Sequence, residues 1–283
     1  MKGFSRRPVC GAVVVAALSQ GACDATFFVG RYETPGPDAG DAASTAWTLV
    51  WHDEFDGPAG SPPNPALWGR AVGGGGWGNM QLQYHTARTE NASLDGNGGL
   101  TIRAIAEPYM GLSYTSARLT TSGIFEQAYG KFEISAKVPA GSGVWSSFWL
   151  AGNDRYIVGW PACGDINVLS VLGQEPDTNR GGAHGPGYGE MVRPSITLPA
   201  GNTFASQLHL FAVEWDPDEL RFYLDDALYA TRTKASLPSG SQWVQDHPNF
   251  LILDLAVGGH AGTPDPAIFP AELSVDFVRV YSR

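Results

Sequence analysis

The residues with the most chemical character lie together in one short stretch, residues 160–173, which reads WPACGDINVLSVLG. Asp165 and Asn167 are two residues apart, so on a β-strand both side chains point to the same face. Ser170 is five residues after Asp165, which on a regular strand turns it to the opposite face. A one-residue bulge between Asn167 and Ser170 would return it, and bulges are frequent next to active sites. The stretch therefore predicts a carboxylate, an amide and a hydroxyl in one row on a sheet.

The elements that must position this row are strands. Hydrophobic residues make up 43% of the 283-residue chain, enough for a core, and the high counts of Gly (36) and Pro (20) favour turns over helices. Segments that alternate apolar and polar residues, or are apolar throughout, are typical of strands. They lie at 100–106, 130–138, 208–215, 220–224, 228–233, 250–257 and 273–281. About a dozen short strands without an internal repeat predict an all-β fold, an antiparallel two-sheet β-sandwich.

The first 22 residues have the pattern of a signal peptide rather than of a folded segment. Three basic residues precede the apolar run 9–18, which is too short to span a bilayer. Two processing routes remain open: plain secretion, or lipidation of Cys23 in the manner of a bacterial lipoprotein. Gln20 stands where a lipobox has an aliphatic residue. We therefore expect an exported protein that is extracellular, periplasmic or tethered to a membrane through Cys23.

Residues 23–46 are rich in Pro, Gly, Ala and Asp without periodicity, and predict a flexible acidic linker ahead of one domain at 47–283. The formal net charge is −10, and it falls to −13 when the three basic residues of the signal peptide are removed. This excess of acid disfavours nucleic acid and anionic membrane surfaces as partners. Cys163 is alone in the domain, so neither a disulfide framework nor a cysteine metal site is expected.

Eight phrases of the domain occur in the order found in glycoside hydrolase family 16, and the domain resembles the bacterial β-1,3-glucanases (laminarinases) of that family. They are LVWHDEFD at 49–56, GWGNMQLQY at 76–84, SARLTT at 116–121, YGKFE at 129–133, VPAGSGVWSSFW at 138–149, HGPGY at 184–188, DLAVGG at 254–259 and VDFVRVY at 275–281. The resemblance implies a jelly-roll, concanavalin A-like sandwich whose concave sheet forms an open cleft for a polysaccharide.

The catalytic motif of that family is Glu-Ile-Asp-x-x-Glu, bulged in the laminarinase branch, and it supplies nucleophile, electrostatic helper and acid/base. The resemblance assigns these positions to Asp165, Asn167 and Ser170, so all three side chains are exchanged. Aspartate is one methylene short, and a misplacement of about 1 Å can cost roughly 100-fold in rate. Serine cannot protonate a leaving oxygen, a loss of roughly 10²–10⁴-fold. Asn167 lacks the charge that would tune the pKa values of its neighbours.

The resemblance also marks substrate-binding positions, several of which differ from the family. They are Asn79, Gln81, Arg118, Trp145, Trp149, Trp160, His184 and Asp254. Indole faces suit the C–H faces of sugar rings. The family's Asn-Asn-Glu-Leu-Gln reads NMQLQ here, its Asn before Leu-Ala-Val-Gly-Gly is Asp254, and the Trp after Gly-Gly is missing. Structural alternatives stay open for Arg118, as a sheet-edge residue, and for His184, as a turn cap. A replacement acid could come from Asp254, Glu175 or Asp177.

No cofactor is required for this chemistry. The family often carries a structural Ca²⁺ away from the cleft, with an Asp near the C-terminus as a ligand, and Asp276 matches that position. Oxygen ligands suit Ca²⁺. The alternative is an Asp on the outward face of an edge strand.

Three functions are compatible with these observations. The first is a secreted or tethered β-glucan-recognising domain that is catalytically impaired or inactive. The second is a retaining endo-β-1,3(4)-glucanase with reduced or altered activity, and the third is a structural domain without a sugar ligand. Turn and core phrases persist while cleft positions change, so we favour the first. In each case we expect a monomer.

Overall fold

The alternating segments of the sequence form antiparallel strands. The structure, a computed structural model, describes residues 46–189 and 194–283. Within these residues the strands are Thr48–Asp53 (β1), Gly69–Arg70 (β2), Gln83–His85 (β3), Ala92–Leu94 (β4), Leu100–Tyr109 (β5), Leu112–Ser116 (β6), Arg118–Thr120 (β7), Gly130–Lys137 (β8), Val144–Gly152 (β9), Asp165–Leu172 (β10), Thr178–Arg180 (β11), Gly182–His184 (β12), Ser195–Thr197 (β13), His209–Asp216 (β14), Glu219–Leu224 (β15), Ala227–Thr233 (β16), Asn249–Val257 (β17) and Ala271–Ser282 (β18). A short helix, α1, covers Arg155–Val158, and 3₁₀ turns cover Gly76–Gly78, Lys234–Ser236, Gly259–Ala261 and Pro266–Ile268.

The strands form two large sheets. One has the order β16-β15-β14-β8-β18-β5-β6-β3, with β1 added on β18 and β4 on β5. The other, named here the cleft sheet, has the order β12-β10-β9-β17-β7-β2, and β11 pairs separately with β13. In the described part the neighbours within the cleft sheet are all antiparallel. The site stretch, β10, is therefore an inner strand between β9 and β12.

The core lies between the two sheets because each strand turns every second side chain inward. On β10 the inward residues Ile166, Leu169 and Val171 are buried, and on β9 Phe148 and Leu150 are fully buried. Facing them from the other sheet are Phe132, Ile134, Phe211, Val213, Phe222, Val278 and Val280. Burying one such side chain contributes about 1.5–3 kcal/mol, so the core fixes one face of the cleft sheet and the other face is available for the site residues.

The prediction of an all-β antiparallel sandwich is confirmed. The segments predicted at 130–138, 208–215 and 250–257 are β8, β14 and β17, each within one residue at either end. Residues Thr45–Arg283 form one compact unit. No helix in the described part of the chain is long and apolar enough to cross a membrane. The predicted signal peptide, Cys23 and all but the last residue of the predicted linker lie outside the described residues.

Candidate functional site

A polar row runs along β10 on the face of the cleft sheet that points away from the core, named here the cleft face. The register of β10 against β9 shifts between Asn167 and Leu169, so Val168 is an extra residue. Beyond this bulge Ser170 returns to the face that holds Asp165 and Asn167. The predicted bulge is present, and Asp165, Asn167 and Ser170 share one face.

The Asp165 carboxylate accepts hydrogen bonds from three side chains. Its Oδ1 accepts from Asn167 Nδ2 at 2.8 Å, and it lies 2.6 Å from His184 Nδ1, which donates because a carboxylate can only accept. Its Oδ2 accepts from Trp160 Nε1 at 2.9 Å. Asp165 is only 6% exposed. These three contacts occupy both oxygens of the Asp165 carboxylate and fix its orientation on the cleft face.

Ser170 is held through both its side chain and its backbone. Trp145 Nε1 donates to Ser170 Oγ at 3.0 Å. Asn179 on β11 accepts from Ser170 N at 2.8 Å and donates to Val168 O at 3.1 Å. A bulge disrupts the hydrogen-bond ladder, and the fully buried Asn179 supplies partners at this point. The sequence analysis did not identify Asn179, because its role depends on which strand packs beside the bulge.

A second polar group on the cleft face is centred on Asp254. Arg118 on β7 and Asp254 on β17 are register partners, and Arg118 Nη2 donates to Asp254 Oδ2 at 2.9 Å. Trp149 Nε1 donates to Asp254 Oδ1 at 3.2 Å. The Arg118 guanidinium carbon lies 4.5 Å from the centroid of the Trp77 ring. Both oxygens of Asp254 thus already accept hydrogen bonds, one of them from the Arg118 guanidinium, and this geometry argues against Asp254 as a replacement proton donor.

The other two candidates for a replacement acid lie between β10 and β11. Glu175 is paired with Arg180, and Asp177 Oδ1 accepts from Thr178 Oγ1 at 3.0 Å. Neither contact involves the polar row of β10.

Gln81 belongs to a buried row beside the second group. Val257 N donates to Gln83 Oε1 at 2.8 Å, which fixes the orientation of the Gln83 amide. Gln83 Nε2 then donates to Gln81 Oε1 at 2.8 Å and to His85 Nε2 at 2.9 Å. His85 therefore carries its proton on Nδ1. Burial, with a contribution from the charge of Arg118, holds the pKa of His85 well below its usual value, so the ring is neutral.

Tryptophans stand at both strand ends of the cleft face. Trp145, near the start of β9, meets His260 edge-on with ring centroids 5.6 Å apart. Trp160, just after α1, is 59% exposed, and its ring centroid lies 6.0 Å from that of His184. Trp77 adds a further ring that the sequence analysis did not assign as a binding residue. The Gly-rich turn 73–78 that contains Trp77 is visible in the sequence. The contact between Trp77 and Arg118 is not, because the two residues are far apart along the chain.

The structure thus brings the predicted residues into two groups. The first contains Asp165, Asn167, Ser170, Trp145, Trp160 and His184, and the second contains Gln81, Arg118, Trp149 and Asp254. Asn79 is half-buried in the turn ahead of Gln81, where its backbone N–H donates to Gly76 O at 2.9 Å.

Asp276 lies away from both groups, at a bulge of β18, where Ser135 Oγ donates to its Oδ2 at 3.3 Å. The pairing of β18 with β1 and β5 puts Asp276 near the end of β1 and the start of β5. At that corner the Glu54 carbonyl and Asp56 Oδ1 each lie 3.8 Å from where a Cβ on Gly98 would stand. Oxygen donors of this kind fit Ca²⁺. No cluster of three acidic, His or Cys side chains occurs among the described residues, so such an ion would also need main-chain carbonyls.

Comparison with known proteins agrees with the fold and identifies the family. The profile of Glycosyl hydrolases family 16 matches residues 77–278. A Beta-glucanase of Rhodothermus marinus is 42% identical over 261 residues, which cover 87% of this chain and 88% of that protein. The solved laminarinase catalytic domain of Thermotoga maritima MSB8 is 43% identical with a TM-score of 0.77, and the match covers 84% of this chain and 98% of that one.

A further solved structure is a glutamate-to-serine mutant of SCLam, a non-specific endo-beta-1,3(4)-glucanase from family GH16. It is 31% identical with a TM-score of 0.77, and the match covers 86% of this chain and 97% of that one. That mutant presents 1,3-beta-D-cellobiosyl-glucose at its active site. The sandwich and these similarities agree, and the chain belongs to glycosyl hydrolases family 16.

Proposed function

We propose that this protein binds β-glucan chains on its cleft face and has lost most or all of the ability to hydrolyse them. The observation that carries the proposal is the state of the two catalytic positions. Asp165 is the one carboxylate left among the three exchanged residues, and its oxygens already accept three hydrogen bonds. Ser170, at the acid/base position, has no proton to give near neutral pH.

Retaining hydrolysis needs two carboxyl groups about 5–5.5 Å apart on one face. Here the second carboxyl group is absent from β10, and Asp254 is committed to Arg118 and Trp149. A glycosidic oxygen over Ser170 would therefore leave without general acid assistance, which costs roughly 10²–10⁴-fold in rate.

Binding, in contrast, needs neither of the lost groups. Indole rings and a row of fixed polar side chains remain on the cleft face, and this combination suits neutral sugar rings. The net charge of −10 is compatible with a neutral ligand. The SCLam glutamate-to-serine mutant, which presents a glucan trisaccharide at its active site, supports the idea that a family 16 protein with such an exchange still holds its ligand.

Isothermal titration calorimetry with laminari-oligosaccharides tests the proposal, together with thermal unfolding in their presence. We expect a binding heat and a rise in Tm for the unaltered protein. Trp145→Ala should weaken binding about twofold to tenfold, because a stacked ring contributes about 0.5–1.5 kcal/mol. Met110→Ser is the matched control, since Met110 is 72% exposed in the turn between β5 and β6. No heat and no change in Tm with any oligosaccharide would contradict the proposal.

A weak retaining endo-β-1,3(4)-glucanase is the second candidate, favoured by one observation. Asp165 keeps a carboxylate on the cleft face at the nucleophile position, next to His184. If the protein is such an enzyme, the purified protein should still release reducing ends from laminarin at a low rate. The variant Asp165→Ala should release none. No release from any β-glucan would exclude it. If the protein neither bound nor hydrolysed any β-glucan, the remaining candidate would be a structural domain without a sugar ligand.

We also propose that the protein is exported and acts as a monomer. The proposal of export rests on the N-terminal sequence pattern, and the processing route at Cys23 is either plain secretion or lipidation. Mass spectrometry of the mature N-terminus distinguishes the two routes, and sedimentation of the purified domain tests the monomer.

A further inference from the structure

The segment 154–160, named here the rim segment, has four exposed large apolar residues, more than any other run of seven residues in the described part of the chain. Tyr156 is 80% exposed, Ile157 88% and Val158 49%, and Trp160 follows with 59%. Isolated exposed apolar residues are ordinary, but adjacent ones mark an interaction surface. The exposed apolar side chains of the rim segment therefore indicate a surface that binds a partner.

The rim segment lies next to the floor of the cleft face. The Tyr156 ring stacks on Phe250 at 6.5 Å with an angle of 6° between the planes. The Arg155 guanidinium carbon lies 5.3 Å from the Trp149 ring centroid, and Trp160 donates to Asp165. The exposed side chains are thus continuous with the proposed sugar-binding face.

The charged groups of the rim segment are turned toward the protein. Arg155 faces the Trp149 ring, and Asp154 Oδ1 lies 3.3 Å from His247 Nε2. The outward surface is formed by Tyr156, Ile157 and Val158 and carries no charge of its own. An overall charge of −10 further disfavours an anionic partner. These properties favour a partner that is uncharged and has apolar faces. The partner would lie next to the hydroxylated sugar chain on the cleft face.

We propose that the rim segment is a second glucan contact, which binds a neighbouring chain of an assembled or insoluble β-glucan while one chain occupies the cleft face. This inference rests on the proposed function and deepens it from single chains to glucan surfaces. A short oligosaccharide above the row from Asp165 to Ser170 does not need Tyr156 or Ile157, because both lie beside that row and neither contacts it. A glucan surface presents several chains at once, so both contacts are made and the binding is strengthened by their linkage.

The test compares two ligands and three proteins. The ligands are laminarihexaose, measured by calorimetry, and insoluble curdlan particles, measured by sedimentation of bound protein. The proteins are the unaltered chain, Tyr156→Ser with Ile157→Ser, and Met110→Ser as a control for loss of exposed apolar surface. Thermal unfolding checks that all three proteins are folded, which is expected because the substituted side chains are mostly exposed.

We expect the double variant to bind curdlan about fivefold to tenfold more weakly, since the lost Tyr156 ring contact and the lost apolar contact of Ile157 each change affinity by a few-fold, while its affinity for laminarihexaose stays within twofold. Unchanged curdlan binding with normal hexaose binding would overturn the inference and leave the proposed function standing. No binding of either ligand by the unaltered chain would overturn both. Self-association of the unaltered chain that the double variant abolishes, or binding to neutral phosphatidylcholine vesicles, would assign the rim segment to another partner and also overturn the inference.

Discussion

Restoring the three exchanged side chains together, Asp165→Glu, Asn167→Asp and Ser170→Glu, should convert the protein into a β-1,3-glucanase. With Val168 in the bulge, four strand steps separate the Cα atoms of Asp165 and Ser170, which is about 13 Å at 3.3 Å per step. A glutamate carboxyl carbon reaches about 4 Å from its Cα and an aspartate carboxyl carbon about 2.5 Å. Two glutamates that lean toward each other therefore leave about 5 Å between their carboxyl groups, the spacing of a retaining enzyme.

The single substitution Ser170→Glu is a weaker case by the same geometry. With Asp165 unchanged, the gap between the carboxyl groups is about 6.5 Å, at the edge of the range for inverting enzymes. A misplacement of about 1 Å costs roughly 100-fold, and a regained general acid is worth roughly 10²–10⁴-fold. The triple variant should gain about 10⁴–10⁶-fold at most over the unaltered chain, and the single variant less, because such residues act as a unit.

Reducing-end release from laminarin measures this gain. Asp165→Glu with Asn167→Asp, but without the change at Ser170, is the matched control, and it should stay inactive because it lacks the acid. The reasoning fails if the triple variant binds laminari-oligosaccharides normally and still releases no more reducing ends than the unaltered chain. It also fails if the unaltered chain already matches the triple variant in rate.

Four further predictions follow from individual contacts. Asp254→Asn should lower the free energy of unfolding by about 3–5 kcal/mol in urea denaturation, because Arg118 would be buried without its counter-ion; a loss below about 1 kcal/mol would mean that the pair is well solvated. Asn179→Ala should cost about 1–3 kcal/mol and weaken oligosaccharide binding, because Val168 O and Ser170 N lose their side-chain partner; normal binding would show that the bulge does not depend on this amide. The pKa of His85 is lowered in the folded state, so below its unfolded pKa of about 6.5 the unfolded chain binds a proton that the folded chain does not, and stability should fall as the pH drops through that value. His85→Gln should make the stability less dependent on pH between about 6.5 and 5, and an unchanged profile would exclude His85 as a cause. Ca²⁺ should raise Tm and EDTA should lower it, and Asp276→Asn should abolish the difference between the two Tm values. A Tm that changes with neither reagent would argue against a bound Ca²⁺.

Much of the fold follows from local patterns. The alternation in 130–138 and the apolar run in 250–257 predict β8 and β17 because side-chain direction on a strand depends only on position along it. The bulge at Val168 was predicted from three residues, since an odd interval had to be made even for Ser170 to share a face with Asp165. The order of the eight sequence phrases was sufficient to predict the family, and the comparisons confirm that prediction.

The contacts of the site could not be read from such patterns. Arg118 and Asp254 meet across 136 positions of sequence, and Tyr156 reaches Phe250 only because α1 folds over the start of β17. Asp254 looked like a spare acid in the sequence, and the structure shows it paired with Arg118 and Trp149.

The sequence by itself therefore determined the sheet architecture, the family and the position of Asp165, Asn167 and Ser170 on one face of β10. These depend on residue identity and on the two-residue period of a strand, which are local properties. Only the tertiary structure decided which side chains bind the Asp165 carboxylate. Asp165 is bound by Trp160 from the α1 connection and by His184 from β12, and such partners are set by strand order and register between segments far apart in the chain.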